Sequence, residues 1–243
     1  MLRVIHLLLI LSFLASCSSL DKKGDTPESA FAIAEEYEKD DRYEEAIRRF
    51  KEVKNKFPYS SFATKAELRV ADLHFKSEEY AEAQVEYQAF RDLHPKHPQI
   101  DYVLFRIGLS YYNQLPSTID RDLSLAGDTV LAFNDLLARY PASEHAKEGR
   151  EYRDKTLLML AEKEKYVADF YFRQGNYEAA LNRYEGLYKK YPNLGLDRKA
   201  LAGAFRSADR AGQKEKAQQI GRLLKQKYSS TSESDEAEEK ESK

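Results

Sequence analysis

Aromatic, small and proline residues recur along the chain with one spacing. In residues 37–58 a tyrosine is followed by a second tyrosine, an alanine, a phenylalanine and a proline at intervals of 6, 3, 4 and 8 residues. The pattern is carried by Tyr37, Tyr43, Ala46, Phe50 and Pro58, by Tyr171, Tyr177, Ala180, Tyr184 and Pro192, by His74, Tyr80, Ala83, Tyr87 and Pro95, and in part by Thr129, Phe133 and Pro141. A weaker copy without the aromatic positions spans about 197–228. Each copy predicts two helices, because the alanine and the aromatic residue four positions later share one helix face and the proline ends the second helix.

This spacing resembles the tetratricopeptide repeat, a helix–turn–helix unit of about 34 residues. It predicts an all-α fold, an α-solenoid of about five such repeats, with the fifth copy as a polar cap. In the third copy Pro116 is expected to end the first helix, and a loop follows it. In the fourth copy Ser143 is expected to cap a helix of about 30 residues that runs from Glu144 to Arg173.

The first residues have the features of a secretory signal. Arg3 precedes an apolar run over residues 4–14, which is too short to span a bilayer as a helix. The Leu-Ala-Ser-Cys string that ends at Cys17 resembles the bacterial lipobox, and Ser18 after it favours transport to the outer membrane. Acyl chains on Cys17, the only cysteine, are expected to anchor the mature chain to the membrane. The alternative is a buried free cysteine near an ordinary cleavage site.

These patterns divide the chain into five parts. They are a signal peptide (1–16), a lipidated tether (17–26), repeats 1–3 (27–142), repeats 4–5 (143–228) and a disordered acidic tail (229–243). The tail has six acidic residues against two lysines and no aliphatic side chain larger than alanine, so it cannot bury enough apolar surface to fold.

The charge balance and the motifs of the sequence argue against several classes of function. Lysine and arginine number 39 against 41 acidic residues, and this net charge of −2 argues against nucleic acid as a partner. His94 and His97 have a possible metal-ligand spacing, but the neighbouring prolines prevent a helix and no thiol or carboxylate accompanies them, which favours a polar turn. Phosphate-binding glycine loops and nucleophile motifs are missing from the sequence. We therefore expect no enzymatic activity, no metal and no cofactor apart from lipid on Cys17.

A tetratricopeptide array offers a concave surface lined by the first helix of each repeat. The outward positions proposed for peptide binding are Phe31, Lys65, Leu68, Phe75, Lys76, Tyr102, Phe105, Leu109 and Tyr112. Other outward positions of the first repeat are Glu35, Glu38 and Lys39. The apolar stripe of the third repeat either lies open in this groove or is buried against a neighbouring helix. An open stripe suits an extended peptide with aromatic side chains, whose carboxylate Lys65 and Lys76 are placed to bind.

The lipobox, the five repeats and three short strings together resemble the BamD family of lipoproteins, which belong to the β-barrel assembly machinery. The strings are Tyr59-Ser60 after Phe57-Pro58, Asp120-Arg121-Asp122, and Asn182-Arg183 followed by Glu185-Gly186. The resemblance covers about 27–228, and the acidic tail lies outside it.

This resemblance implies attachment to the outer membrane on its periplasmic side. It also implies that the C-terminal repeats bind the periplasmic repeat domain of the barrel-forming insertase, with Arg183, Glu185 and Gly186 as candidate contacts. The N-terminal groove is then expected to bind unfolded outer-membrane proteins, and accessory lipoproteins are further possible partners. The alternative function is that of another periplasmic tetratricopeptide lipoprotein, which coordinates cell-envelope or division machinery.

Overall fold

The computed structural model describes residues 24–228. Cys17, the signal peptide and the acidic tail lie outside these residues, so the predictions made for them stay predictions. Of the helices described, none combines the length and the apolar character needed to cross a membrane.

Residues 24–228 form ten helices and contain no strand. In chain order the helices are α1 (Pro27–Lys39), α2 (Tyr43–Lys56), α3 (Ser61–Lys76), α4 (Tyr80–Leu93), α5 (Ile100–Asn113), α6 (Ala126–Arg139), α7 (Ala146–Arg173), α8 (Tyr177–Lys190), α9 (Asp197–Arg210) and α10 (Lys214–Tyr228). The predicted fold class, an all-α chain of tetratricopeptide-type helix pairs, is confirmed.

The described chain divides into two compact units, residues 24–79 and residues 80–228. In the first unit α2 packs against α1 and α3, and α1 also contacts α3. In the second unit each helix from α4 to α10 packs against the next, with further contacts between α5 and α7 and between α7 and α9. The sequence analysis predicts a different boundary, at residue 142, between repeats 1–3 and repeats 4–5. That boundary concerns function and not compactness, so it stays a prediction.

The repeat positions have the packing roles that their spacing predicts. The four repeat alanines, Ala46, Ala83, Ala180 and Ala217, are all buried. Helices α2, α4, α6 and α8 each end two residues before a proline, as the sequence predicts. Buried alanines allow neighbouring helix axes to approach closely, and the aromatic rings of the same repeats fill the remaining space.

Four of the turns share one backbone feature. The second residue after the end of α1, α3, α7 and α9 has a positive φ, and these residues are Asp41, Glu78, Gly175 and Gly212. Glycine adopts this conformation without strain, so the sequence predicts it at Gly175. At Asp41 and Glu78 the repeat geometry imposes the same conformation on side chains that disfavour it.

The long helix of the fourth copy begins later than predicted. Helix α7 starts at Ala146 with His145 at its N-cap position, so the expected start at Glu144 and the assignment of Ser143 as the cap are wrong. The Ser143 hydroxyl accepts a hydrogen bond from the His145 backbone N–H (3.1 Å) and donates one to the Asp101 carboxylate (2.7 Å). Ser143 therefore fixes the turn before the helix to α5 instead of capping α7.

Candidate peptide-binding and partner-binding sites

Two of the apolar residues expected on the outward face of the first unit are buried instead. The ring of Phe31 packs against Phe50 at a centroid distance of 5.0 Å and against Phe62 at 5.4 Å, and Leu68 is also buried. The prediction that Phe31 and Leu68 face outward is therefore wrong. Phe31 is buried because α1 contacts both α2 and α3, so the apolar stripe of α1 is covered from two sides.

The lysines predicted for this unit remain exposed, and Phe75 is half-buried. The Lys65 ammonium lies 5.0 Å from the centroid of the Phe62 ring. The Lys76 ammonium lies 4.7 Å from the centroid of the Tyr43 ring and 3.9 Å from a carboxylate oxygen of Asp41. A hydrogen bond with Tyr43 raises the pKa of Lys76, so this side chain stays positively charged. The two lysine positions predicted for peptide binding therefore present positive charge to the solvent.

A cavity of about 230 Å³ lies on this face, between α1, α3 and the turn after α1. We call it the charged cavity, and its lining residues are Glu35, Glu38, Lys39, Asp41, Arg69 and Lys76. Across it a guanidinium nitrogen of Arg69 lies 2.7 Å from Oε1 of Glu38. Arg69 was missed by the sequence reasoning, although it lies four residues after Lys65 and three before Asp72 on one helix face.

The apolar stripe of the third repeat lies on α5 and was expected either to form an open groove or to be buried. The burial of its side chains distinguishes the two alternatives. Phe105 and Leu109 are buried, and the Phe105 ring stacks on His145 at a centroid distance of 5.0 Å. Tyr102 and Tyr112 are half-buried and make edge contacts with Tyr87 and Tyr152. The stripe is therefore not an open groove, because α7 and α6 pack against the side of α5 that carries it.

The candidate partner residue Arg183 lies on α8. Its guanidinium Nη1 is 3.3 Å and 3.2 Å from the two carboxylate oxygens of Glu164 on α7. The Arg183 side chain keeps 47% of its surface exposed. The ion pair therefore fixes the orientation of the guanidinium while leaving part of it accessible.

The other two candidates differ from Arg183 and from each other. Glu185 forms ion pairs with Lys216 on α10 (2.7 Å) and with Lys189 (3.6 Å), so it links the fourth and fifth helix pairs. A Cβ atom added at Gly186 would meet nothing within 4 Å inside the chain. Glu185 is therefore engaged in contacts inside this chain. At Gly186 no side chain projects from the surface of α8.

A lysine that the sequence reasoning overlooked holds the loop between α5 and α6. The Lys163 ammonium on α7 donates hydrogen bonds to the backbone carbonyls of Asp120 (3.2 Å) and Arg121 (3.3 Å). The loop string is therefore attached to α7 through its main chain. Nothing in the sequence spacing of the two segments indicated this contact.

The last helix pair, predicted to be a polar cap, carries one exposed aromatic residue. Phe205 on α9 is exposed, and its ring edge lies beside Gly221 of α10 in a cavity of about 500 Å³. Leu224, Arg222 and Lys225 also line this cavity. The exposed residues of α10 are all polar or charged, as the polar-cap prediction requires, and Phe205 on α9 is an exception that the repeat spacing does not mark. A separate feature of the second unit is the turn after α4, which contains His94 and His97. Both histidine rings pack against the ring of Phe90.

Comparison with known proteins assigns the family. The family model YfiO, described as "Outer membrane lipoprotein", matches residues 23–223. A protein of Neisseria meningitidis serogroup A named "Outer membrane protein assembly factor BamD" is 27% identical over 241 residues, which cover 93% of this chain and 90% of that protein. A Vibrio cholerae protein of the same name is 29% identical and covers 80% of this chain and 85% of that protein. A solved structure titled "TPR2AB-domain:pHSP90-complex of yeast Sti1" aligns with a TM-score of 0.43 and 14% identity, over 84% of this chain and 78% of that chain. Because the family match spans most of its length, the chain belongs to the YfiO family of outer membrane lipoproteins, and the resemblance to the BamD family is confirmed.

Proposed function

We propose that the chain is an outer membrane lipoprotein scaffold of the β-barrel assembly machinery. In this role it binds the periplasmic domain of the barrel-forming insertase and unfolded outer-membrane proteins, and it promotes their folding and insertion without catalysing a chemical reaction. The observation that carries the proposal is the family match over residues 23–223, together with full-length relatives named as outer membrane protein assembly factors. Lipid on Cys17 provides the membrane attachment.

The α7–α8 surface supports the partner half of the proposal. Arg183 is half-exposed and is oriented by Glu164, and an arginine side chain has five N–H donors. A carboxylate of the insertase can therefore bind beside Glu164 without displacing it. Such a contact contributes orientation and specificity more than affinity. Gly186, one turn further along α8, allows a partner backbone to approach closely.

The first unit supports the substrate half. Lys65 and Lys76, at the positions proposed for a peptide carboxylate, are exposed, whereas Phe31 and Leu68 are buried. Binding of an unfolded chain at these positions therefore depends on polar and ionic contacts more than on insertion of aromatic rings.

The experiment that tests the partner half is co-purification from detergent-solubilised membranes. The proposal expects a β-barrel protein with periplasmic repeats to be recovered with this chain in near-stoichiometric amount. Recovery of division or peptidoglycan-linked proteins alone would contradict the proposal and support the alternative function.

A further inference from the structure

The last helix pair carries an excess of positive charge. Helices α9 and α10 contain nine arginine and lysine residues against three acidic residues. The chain as a whole has a net charge of −2, so this excess is local. A surface on which one sign of charge predominates attracts a ligand of the opposite sign.

The cavity of about 500 Å³ between these two helices places part of that charge beside apolar surface. We call it the C-terminal cavity. Within residues 24–228 no acidic side chain lines it, and its lining residues are Phe205, Gln218, Gly221, Arg222, Leu224 and Lys225. Arg222 and Lys225 are both exposed and lie three positions apart, so they share one face of α10. The cavity therefore suits an anionic segment that also carries a small apolar group.

The segment that follows α10 has this composition. Residues 229–243 contain six acidic residues and two lysines, and Ala237 is their one aliphatic side chain. Ala237 lies between two pairs of acidic residues, at 235–236 and 238–239. A methyl group thus stands inside a run of negative charge, as the C-terminal cavity requires.

The tail is also long enough to reach the cavity. Helix α10 ends at Tyr228, and at about 1.5 Å per residue Lys225 lies about 4.5 Å and Gln218 about 15 Å back along the helix axis. An extended chain covers about 3.3–3.6 Å per residue, so the first acid of the tail, Glu233, can lie up to roughly 17 Å from Tyr228. The acidic residues from Glu233 onward can therefore reach the whole length of the cavity.

Covalent attachment to α10 favours the tail over a separate anionic molecule. Single ion pairs at a protein surface are weak. A segment that is joined to its site by a short flexible linker, however, has an effective concentration on the order of millimolar. Several weak contacts can then hold the tail on the cavity, and a free anionic partner has to compete with it.

We propose that residues 229–243 fold back onto the C-terminal cavity of the same chain. Carboxylates of the tail lie beside Arg222 and Lys225. The methyl group of Ala237 packs against the ring of Phe205. Because the contact is ionic and solvent-exposed, salt weakens it. The tail is then a built-in competitor for anionic partners of the last helix pair, a role that the proposed function does not require.

The test uses the absence of tryptophan from the chain. Phe205→Trp places a single indole in the cavity, at a position that is 38% exposed and therefore needs little repacking. Quenching of its fluorescence by acrylamide, which is uncharged, measures how far the cavity is covered. The full chain is compared with a chain truncated after Tyr228, at ionic strengths of about 0.01 M and about 1 M, where the Debye length is roughly 30 Å and 3 Å. Circular dichroism confirms that each variant keeps its helix content.

We expect the quenching constant of the full chain to be about twofold lower than that of the truncated chain at low ionic strength, because the tail shields the indole. The difference should disappear at high ionic strength. Arg222→Gln combined with Lys225→Gln should raise quenching of the full chain to the level of the truncated chain. The matched control is Lys147→Gln combined with Arg150→Gln on α7, two exposed residues that are also three positions apart, and it should leave quenching unchanged.

Equal quenching of the full and truncated chains at low ionic strength would overturn the inference. Protection by the tail that survives the replacement of Arg222 and Lys225 would also overturn it, because the tail would then lie elsewhere. Protection that increases with protein concentration would assign the cavity to the tail of a second copy. Protection of both chains only when phosphatidylglycerol vesicles are added would assign it to a lipid surface. Each of these results leaves the proposed function intact.

Discussion

Two glycines of the second unit lie directly against an aromatic ring of a neighbouring helix. A Cβ atom added at Gly203 would lie 2.5 Å from the Tyr184 ring, and one added at Gly108 would lie 2.5 Å from the Phe133 ring. Tyr184 is also held through its hydroxyl, which donates to the Asp169 carboxylate. Burial, and then this hydrogen bond to Asp169, raise the pKa of Tyr184, so it remains a neutral donor.

Alanine substitutions at two glycines of the second unit should have opposite effects. Gly203→Ala should lower the free energy of unfolding by about 1–3 kcal/mol, because the ring of Tyr184 must move. Gly186→Ala should raise it by about 0.5–1 kcal/mol, because alanine favours the helix and its Cβ meets nothing. Urea unfolding monitored by circular dichroism measures both. Equal destabilisation by the two substitutions would contradict the packing described for Tyr184.

The stability of the second unit should depend on pH through His97. Burial, with a smaller contribution from the neighbouring His94, lowers the pKa of His97 below its usual 6.5. The folded chain therefore favours neutral His97, and the free energy of unfolding should fall as the pH is lowered through 6.5 and below. Comparing urea unfolding at pH 7.5 and pH 5.5 measures this loss. In His97→Gln the loss should be smaller, and an unchanged loss would exclude this origin.

At the scale of elements, α7 and α8 form the surface proposed for the insertase. Arg183 on α8 and Glu164 on α7 are joined by an ion pair, so a simple charge reversal of Arg183 would also place two carboxylates together. Truncating each partner separately avoids this complication. It also distinguishes a contact with another protein from a contact inside this chain.

We expect Arg183→Ala to weaken binding to the purified periplasmic domain of the insertase about tenfold, because a charge-assisted contact is lost. Glu164→Ala should keep or strengthen binding, because it leaves the guanidinium available to the partner. Surface plasmon resonance provides the dissociation constants. Equal weakening by the two variants would show that Arg183 acts only by joining α8 to α7.

The sequence predicts the positions of the helices better than it predicts which side of each helix is buried. The spacing of alanines, aromatics and prolines depends on contacts within a helix pair, which are local in sequence, so it locates the pairs. Phe31, Leu68, Phe105 and Leu109 were placed outward by the same register but are buried. A first helix of a repeat contacts helices on two sides, and only the contact within its own pair is visible in the repeat spacing. The Glu38–Arg69 pair joins α1 to α3 over 31 positions and has no local signature.

Considered as a whole, the molecule combines an all-α body with a cysteine that we propose as its lipid anchor. Cys17 is the only cysteine and precedes the first described residue by seven positions. The residues described contribute no membrane-spanning helix of their own. Lipid on Cys17 is the membrane attachment that we propose for the chain.

Replacing Cys17 by alanine should release the protein from the membrane, because the acylated residue is lost. The measurement is immunoblotting of membrane and periplasmic fractions after an alkaline wash. A chain with Ser18→Ala, which keeps the cysteine, is the matched control and should stay with the membrane. Full membrane retention of Cys17→Ala would contradict the lipoprotein anchor.

Promotion of outer-membrane β-barrel folding is the function that we propose for this chain. It is tested most directly by reconstituting the barrel-forming insertase in liposomes, with and without this chain, and adding a urea-unfolded outer-membrane protein. Folding is followed by the change in gel mobility of unheated samples. We expect the folding rate to rise severalfold when the chain is present, and Arg183→Ala to reduce this gain. Equal folding rates with and without the chain would contradict it.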